Sequence, residues 1–149
     1  MRKIGEFRIF IVTVKDIEAR RGRRGRVIEV VHTIELPDRE LVVTILGSRR
    51  SWPDDVGTNV KIDLDELQEF ALYVFEALRS RPDWSTSFES LEIGARVDVG
   101  AAILDGVPNC FVNEVTRIYV SDCFAEWLAQ RGTQTCRAVS TAFAEVFLQ

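Results

Sequence analysis

The chain has 149 residues, 46% of them hydrophobic and 28% charged, which is enough for one folded domain with a sizeable core. Its formal net charge of −4 argues against general binding to nucleic acid or to anionic membranes, because both are themselves negatively charged. No apolar run approaches the roughly 20 residues that span a bilayer, and the first residues lack the pattern of a signal peptide. We therefore predict one domain over residues 1–149, located in the cytoplasm.

The cysteines are consistent with that location. Cys110, Cys123 and Cys136 are odd in number and lack Cys-x-x-Cys spacing, which favours free thiols in a reducing compartment. A nucleophilic cysteine needs a neighbouring base, and the single histidine, His32, lies in a predicted strand. We therefore do not expect Cys–His catalysis.

The first half of the chain predicts β-strands. Phe7–Val14 is apolar with little interruption, as expected of a central strand, and Val27–Ile34 and Leu41–Leu46 are further β-branched runs. Period-two runs of this kind before and after a helical segment predict an α+β fold.

An arginine-rich segment, Arg20–Arg26, lies between the first two of these strands and has five arginines in seven residues. Guanidinium groups match the geometry of phosphate, so the segment could bind a nucleotide, a substrate phosphate or nucleic acid. Without interleaved aromatic residues for base stacking, nucleic acid is the partner we expect least. A solvated hairpin tip has the same composition, and these interpretations stay open.

The longest predicted helix covers Asp63–Ser80. Asp63 can cap its N-terminus, with Glu66 completing a capping-box pattern, and Pro82 ends it. Its apolar residues recur every three or four positions, at Leu64, Leu67, Ala71, Val74 and Leu78.

Two further helices are predicted near the C-terminus, at Asp122–Ala129 and Thr135–Leu148. We expect the last one to bury Val139, Phe143, Val146 and Phe147.

The most informative segment predicts a β-hairpin. Ala95–Gly100 and Cys110–Arg117 both alternate apolar and polar residues, and Asp105-Gly106 between them favours a tight turn. With a loop over Asp105–Val107, Asp98 faces Glu114 and Arg96 faces Thr116.

These four side chains would share one face of the sheet, with the Cβ atoms of facing residues about 5 Å apart. Two carboxylates and a guanidinium group suit a Mg²⁺ ion held against a phosphate, whereas a solvated sheet face is the ordinary alternative. Gly100 and Ala102 continue this face and would leave it open, and Asn113 is predicted to lie on the other face.

The hairpin resembles the metal-binding end of the ATP-grasp fold, the family of ATP-dependent carboxylate–amine ligases and their relatives. In that family an Arg-x-Asp strand precedes a Glu-x-Asn strand. Gly5–Val12, with glycine, an acid and an arginine before an apolar run, resembles the strand that follows the family's hinge. The resemblance covers roughly Gly5–Leu148 and implies an antiparallel β-sheet with helices packed on one face, like the C-terminal lobe of that fold.

The resemblance also implies roles for the hairpin residues. Asp98 would bind Mg²⁺ or Mn²⁺, Glu114 would bridge two ions, and Arg96 would contact the terminal phosphate of ATP as the catalytic residue. Thr116 stands where the family usually has asparagine, and it is assigned to the nucleotide site with the other three.

The family's other lobe carries the lysines that hold the α- and β-phosphates, and it has no counterpart in these 149 residues. The sequence has three lysines and no Gly-x-x-x-x-Gly-Lys loop. We therefore expect about half of an ATP site, weak ATP affinity near ~1 mM, and ligation of a small-molecule carboxylate only if a complementary protein lobe supplies the rest.

Two alternatives remain. The first is a non-catalytic module that forms a homo-oligomer through an exposed apolar patch. The second is a nucleic-acid-binding protein that acts through Arg20–Arg26.

Overall fold

Five antiparallel strands form one sheet in the computed structural model, which describes residues 2–14, 24–35, 41–46, 62–81, 89–118, 137 and 139–144. The strands are β1 (Arg2–Thr13), β2 (Gly25–Glu35), β3 (Leu41–Leu46), β4 (Gly94–Leu104) and β5 (Val107–Arg117). Their order across the sheet is β3-β2-β1-β4-β5, and every neighbouring pair is antiparallel. The central position predicted for the first strand is therefore confirmed.

One long helix, α1 (Leu64–Arg79), follows β3 in the chain. Asp63 caps it by accepting a hydrogen bond from the backbone N–H of Asp65 at 2.8 Å. At the other end the N–H and hydroxyl of Ser80 both donate to the carbonyl of Glu76. The helix begins and ends within one residue of the predicted bounds.

The main core lies between α1 and one face of the sheet. Alternate residues of the two central strands form this face: Phe7, Ile9 and Ile11 of β1, with Ala95, Val97, Val99 and Ala101 of β4. The helix contributes Leu67, Ala71 and Phe75, which are fully buried, whereas Val74 is half-buried. The predicted apolar stripe is therefore confirmed, because Leu64, Val74 and Leu78 also pack against this core. Phe75, which is fully buried, was not part of the prediction.

The opposite face of the sheet carries a second, smaller apolar cluster. It consists of Phe10, Val31 and Ile118, and Val139 packs against it. Residues 137 and 139–144 are helical, as predicted, but the contact of Val139 means that helical residues lie on both faces of the sheet. Ala142 is buried and Phe143 is 44% exposed, so the predicted burial of Phe143 is wrong.

Some predictions concern residues outside the described ranges. These are the Asp122–Ala129 helix and the thiols of Cys123 and Cys136. Cys110 is a free, half-buried thiol, and burial raises its pKa. Among the described residues no helix is long and apolar enough to cross a membrane.

Replacement of Phe75 by alanine tests the packing of α1. Because Phe75 is fully buried between the helix and the sheet, we expect Phe75→Ala to lower the free energy of unfolding by about 3–5 kcal/mol in urea titrations. Val74→Ala should cost clearly less, since Val74 is half-buried, and Tyr73→Ala should change little because Tyr73 is 70% exposed. A larger loss for Val74→Ala than for Phe75→Ala would contradict this packing.

Candidate functional site

A two-residue turn joins β4 to β5. Asp105 and Gly106 have φ values of 51° and 81°, as in the type I′ turn that suits the twist of a hairpin. Val107 then faces Leu104, so the loop is one residue shorter than the sequence predicts.

A β-bulge restores the predicted pairing further along the hairpin. Val99 faces Val112, but Asp98 faces Glu114, so Asn113 is the extra residue. The shorter turn and the bulge offset each other by one residue. The predicted pairs Asp98–Glu114 and Arg96–Thr116 are therefore confirmed.

The bulge also redirects Asn113. Its Nδ2 donates to Oε2 of Glu6 at 2.7 Å, and Glu6 lies on the same face as Asp98. The prediction that Asn113 lies on the other face was wrong, because bulges change the direction of a side chain and straight alternation does not allow for one. The other oxygen of Glu6 accepts from Nε of Arg8 at 3.3 Å.

These side chains form one patch, which we call the polar cluster, on the sheet face opposite α1. Arg8 of β1 faces Asp98 of β4, which in turn faces Glu114 of β5, so the patch extends across three strands. Its members are Glu6, Arg8, Arg96, Asp98, Asn113, Glu114 and Thr116. It contains three carboxylates and two guanidinium groups.

A bidentate ion pair lies at the centre of the polar cluster. Nε and Nη2 of Arg96 donate to the two oxygens of Asp98 at 2.7 and 2.8 Å. Nη2 also donates to Oγ1 of Thr116 at 3.2 Å and lies 3.6 Å from Oε2 of Glu114. The Arg96 and Asp98 side chains are 11% and 3% exposed, whereas that of Glu114 is 60% exposed.

Burial raises the pKa of Asp98 above its ordinary value of 3.8, although the hydrogen bonds and the charge of Arg96 act in the opposite direction. The nearby Glu6 raises this pKa further, and Arg8 lowers it. Desolvation therefore outweighs the favourable contacts, as is common for ion pairs withdrawn from water.

Phe111 covers part of the face that the sequence predicts to be open. A Cβ atom at Gly100 would lie 2.4 Å from the ring of Phe111, so the ring rests directly on the glycine backbone. Gly100 therefore provides space for an aromatic side chain, and the predicted opening is absent at this position. Ala102 is also buried.

Sequence reasoning assigned no site role to Glu6, Arg8 or Asn113. The signal for the first two was present, because they are charged residues at alternate positions of a strand whose other face is apolar. Asn113 carried no such signal, since its position depends on the bulge.

The arginine-rich segment is described only at its C-terminal end, and Arg20–Arg23 lie outside the described residues. The N–H groups of Arg24 and Gly25 both donate to Oε1 of Glu76 at 2.8 Å. Glu76 thereby fixes this end of the segment to α1. The proposed roles of the segment in binding phosphate or nucleic acid stay predictions.

No family model matches the chain, and neither a curated protein nor a solved structure matches it. Within the described ranges, no group of three or more histidine, cysteine, aspartate or glutamate side chains is placed to hold a metal ion. Among the described residues, the polar cluster is therefore the candidate site.

Loss of the Arg96 guanidinium group should destabilise the fold strongly. Arg96→Met keeps much of the side-chain volume but leaves the buried Asp98 carboxylate without its partner, which typically costs about 3–5 kcal/mol. We expect chemical denaturation near neutral pH to show a loss of that size. Arg8→Met, at a side chain that is 36% exposed, should lower the free energy of unfolding far less. Equal losses would show that the Arg96–Asp98 pair contributes no more to stability than the exposed Arg8.

The raised pKa of Asp98 predicts a pH dependence of stability. Between the ordinary value of 3.8 and the higher native value, the folded chain binds more protons than the unfolded chain. The contribution of Asp98 to the free energy of unfolding is therefore present at low pH and is lost as the pH rises through the native pKa. Relative to Asp98→Asn, which lacks this ionisation, the unmutated chain should lose stability across that interval. A gain over the same interval would contradict the direction of the shift.

Proposed function

We propose that the chain is the metal- and phosphate-binding half of an ATP site in an ATP-grasp-like protein. The observation that carries this proposal is the pair formed by Asp98 and Glu114, a buried and an exposed carboxylate that face each other beside Arg96. With three carboxylates and two guanidinium groups, the polar cluster has one more potential negative charge than positive charges. That balance favours a cation over a free anion.

The donor set fits Mg²⁺ or Mn²⁺. Mg²⁺ prefers oxygen ligands and usually binds one or two carboxylates, with waters and phosphate oxygens completing its coordination. Both oxygens of Asp98 accept from Arg96, but an ionised carboxylate has about four acceptor positions and can also bind an ion. Glu114 would hold the same ion from the exposed side. A bound ion would neutralise charge on phosphate oxygens.

Arg96 and Thr116 would contact the phosphate. Nη1 of Arg96 takes part in none of the contacts that hold Asp98, Thr116 and Glu114, and it carries two N–H donors. The bidentate contact with Asp98 holds the guanidinium plane in one orientation, so its outer donors are positioned before a ligand arrives. Arg96 is therefore the residue to which we assign stabilisation of phosphoryl charge.

Ligation of a small-molecule carboxylate would need a complementary lobe that supplies lysines for the remaining phosphates. Without it we expect the chain to bind ATP weakly, near ~1 mM, because few contacts operate. The alternative function is a non-catalytic module that forms oligomers, and it is favoured by the exposed apolar residues of the β4–β5 hairpin.

Thermal unfolding with and without divalent ions tests the metal site. Millimolar Mg²⁺ or Mn²⁺ should raise the Tm of the unmutated chain, because an ion that binds only the folded state stabilises it. Asp98→Asn and Glu114→Gln should each abolish this rise.

Asp105→Asn is the matched control. It removes an exposed carboxylate from the same hairpin, at a turn position where asparagine is well accepted, and it should leave the rise intact. If the ions do not move the Tm of the unmutated chain, or move that of Glu114→Gln equally, the metal site is refuted. Micromolar ATP affinity in calorimetry would refute the half-site.

A further inference from the structure

We propose that the β5 edge is an interface with a second copy of this chain, in which the two β5 strands pair antiparallel about a two-fold axis through Phe111. The dimer would join two five-stranded sheets into one of ten strands. This proposal is independent of metal or nucleotide binding.

Exposed apolar side chains concentrate at this edge. Among the described residues six large hydrophobic side chains are exposed, and four of them belong to the β4–β5 hairpin: Leu104, Val107, Phe111 and Val112, at 38–59%. Among the described strands β5 is at one end of the sheet order, and all its residues from Val107 to Asn113 are uncharged. An uncharged stretch of an edge strand is a template for pairing with another strand.

The backbone groups at this edge have a defined direction. In a two-residue hairpin the pair next to the turn, here Leu104 and Val107, exchanges hydrogen bonds, and hydrogen-bonded and non-hydrogen-bonded pairs then alternate. Phe111 therefore directs its N–H and C=O to β4, whereas Cys110 and Val112 direct theirs away from the sheet. Pro108 has the same outward direction and lacks an N–H, as expected at an edge.

The outward N–H and C=O groups of Cys110 and Val112 are self-complementary about Phe111. When Phe111 lies opposite Phe111 of the second copy, Cys110 of each copy faces Val112 of the other. Each of these two pairs then exchanges two backbone hydrogen bonds. Asn109 would face Asn113, and the second amide N–H of Asn109 could donate to the Asn113 amide oxygen, since their known bonds use other atoms. Pro108 limits the hydrogen-bonded pairing to the segment 109–113.

The side chains match in the same register. Cys110 and Val112 would cover each other on one face. On the other face the two Phe111 residues would flank the axis, each ring resting on Gly100 of its own copy. No charged residue faces a like charge within the segment. Because so short a strand pair buries less than the ~800 Å² per partner of a standard interface, we expect a weak dimer, with a Kd of about 10–100 µM.

Sedimentation velocity without nucleotide and with a chelator tests the dimer. The unmutated chain should increase from 16.9 kDa towards twice that mass as its concentration passes the expected Kd. Phe111→Lys should stay at the monomer mass, because two lysines would face each other at the axis. Tyr73→Lys removes a more exposed aromatic residue from α1 and should still form the dimer.

Cross-linking tests the register and does not depend on whether Phe111→Lys folds. In the proposed pairing residue 111 faces its own copy with the Cα atoms about 4.5 Å apart, within the range that a disulfide bridges. Mild oxidation of Phe111→Cys should therefore give a covalent dimer linked through position 111, identified by peptide mapping. Asn109→Cys, offset by four residues from its own copy, should not link to itself.

If the unmutated chain stays monomeric at several hundred micromolar, the proposal is overturned. A Phe111→Cys variant that forms no 111–111 link, or one that links no more than Asn109→Cys, would also overturn it. Because metal and nucleotide are absent, none of these results bears on the metal site.

Discussion

The buried ion pair between Arg96 and Asp98 is the interaction on which the rest of the site depends. Both side chains are almost fully withdrawn from water, so each needs the other, and the bidentate geometry fixes where both can lie. Strand β4 can carry this pair because its alternate residues, Ala95, Val97 and Val99, bury the opposite face against α1. The packing of the main core therefore fixes the strand that carries Arg96 and Asp98.

Neighbouring strands add contacts that hold the pair in place. Thr116 and Glu114 reach Arg96 from β5, and the Asn113 bulge lets β5 also contact Glu6 of β1, beyond β4. The polar cluster thus ties three strands together on one face. Burial raises the pKa of Asp98, so desolvation of this carboxylate offsets part of what its contacts with Arg96 contribute to stability.

The two proposals use different parts of one hairpin. Asp98 and Glu114 lie on the side of the bulge near the strand ends, whereas Phe111 and Val112 lie on the side towards the turn. Although Phe111 lies on the turn side, its ring rests on Gly100 of β4, two residues from Asp98 of the polar cluster. A dimer at the β5 edge would therefore lie beside the polar cluster without using its carboxylates.

The sequence by itself determined the strands, the long helix and the central position of β1, because period-two and period-3.6 patterns are local signals. The predicted pairing of Asp98 with Glu114 is correct only because the shorter turn and the bulge offset each other. The sequence did not reveal that Phe75 is fully buried, that Phe143 is exposed, or that Val139 packs on the opposite face, since these depend on how elements meet. The Asn113 bulge and the Phe111 ring over Gly100 were equally invisible. Only the tertiary structure decided them, because each results from strands and side chains adjusting to one another across the sheet, and periodicity along one strand carries no record of that adjustment.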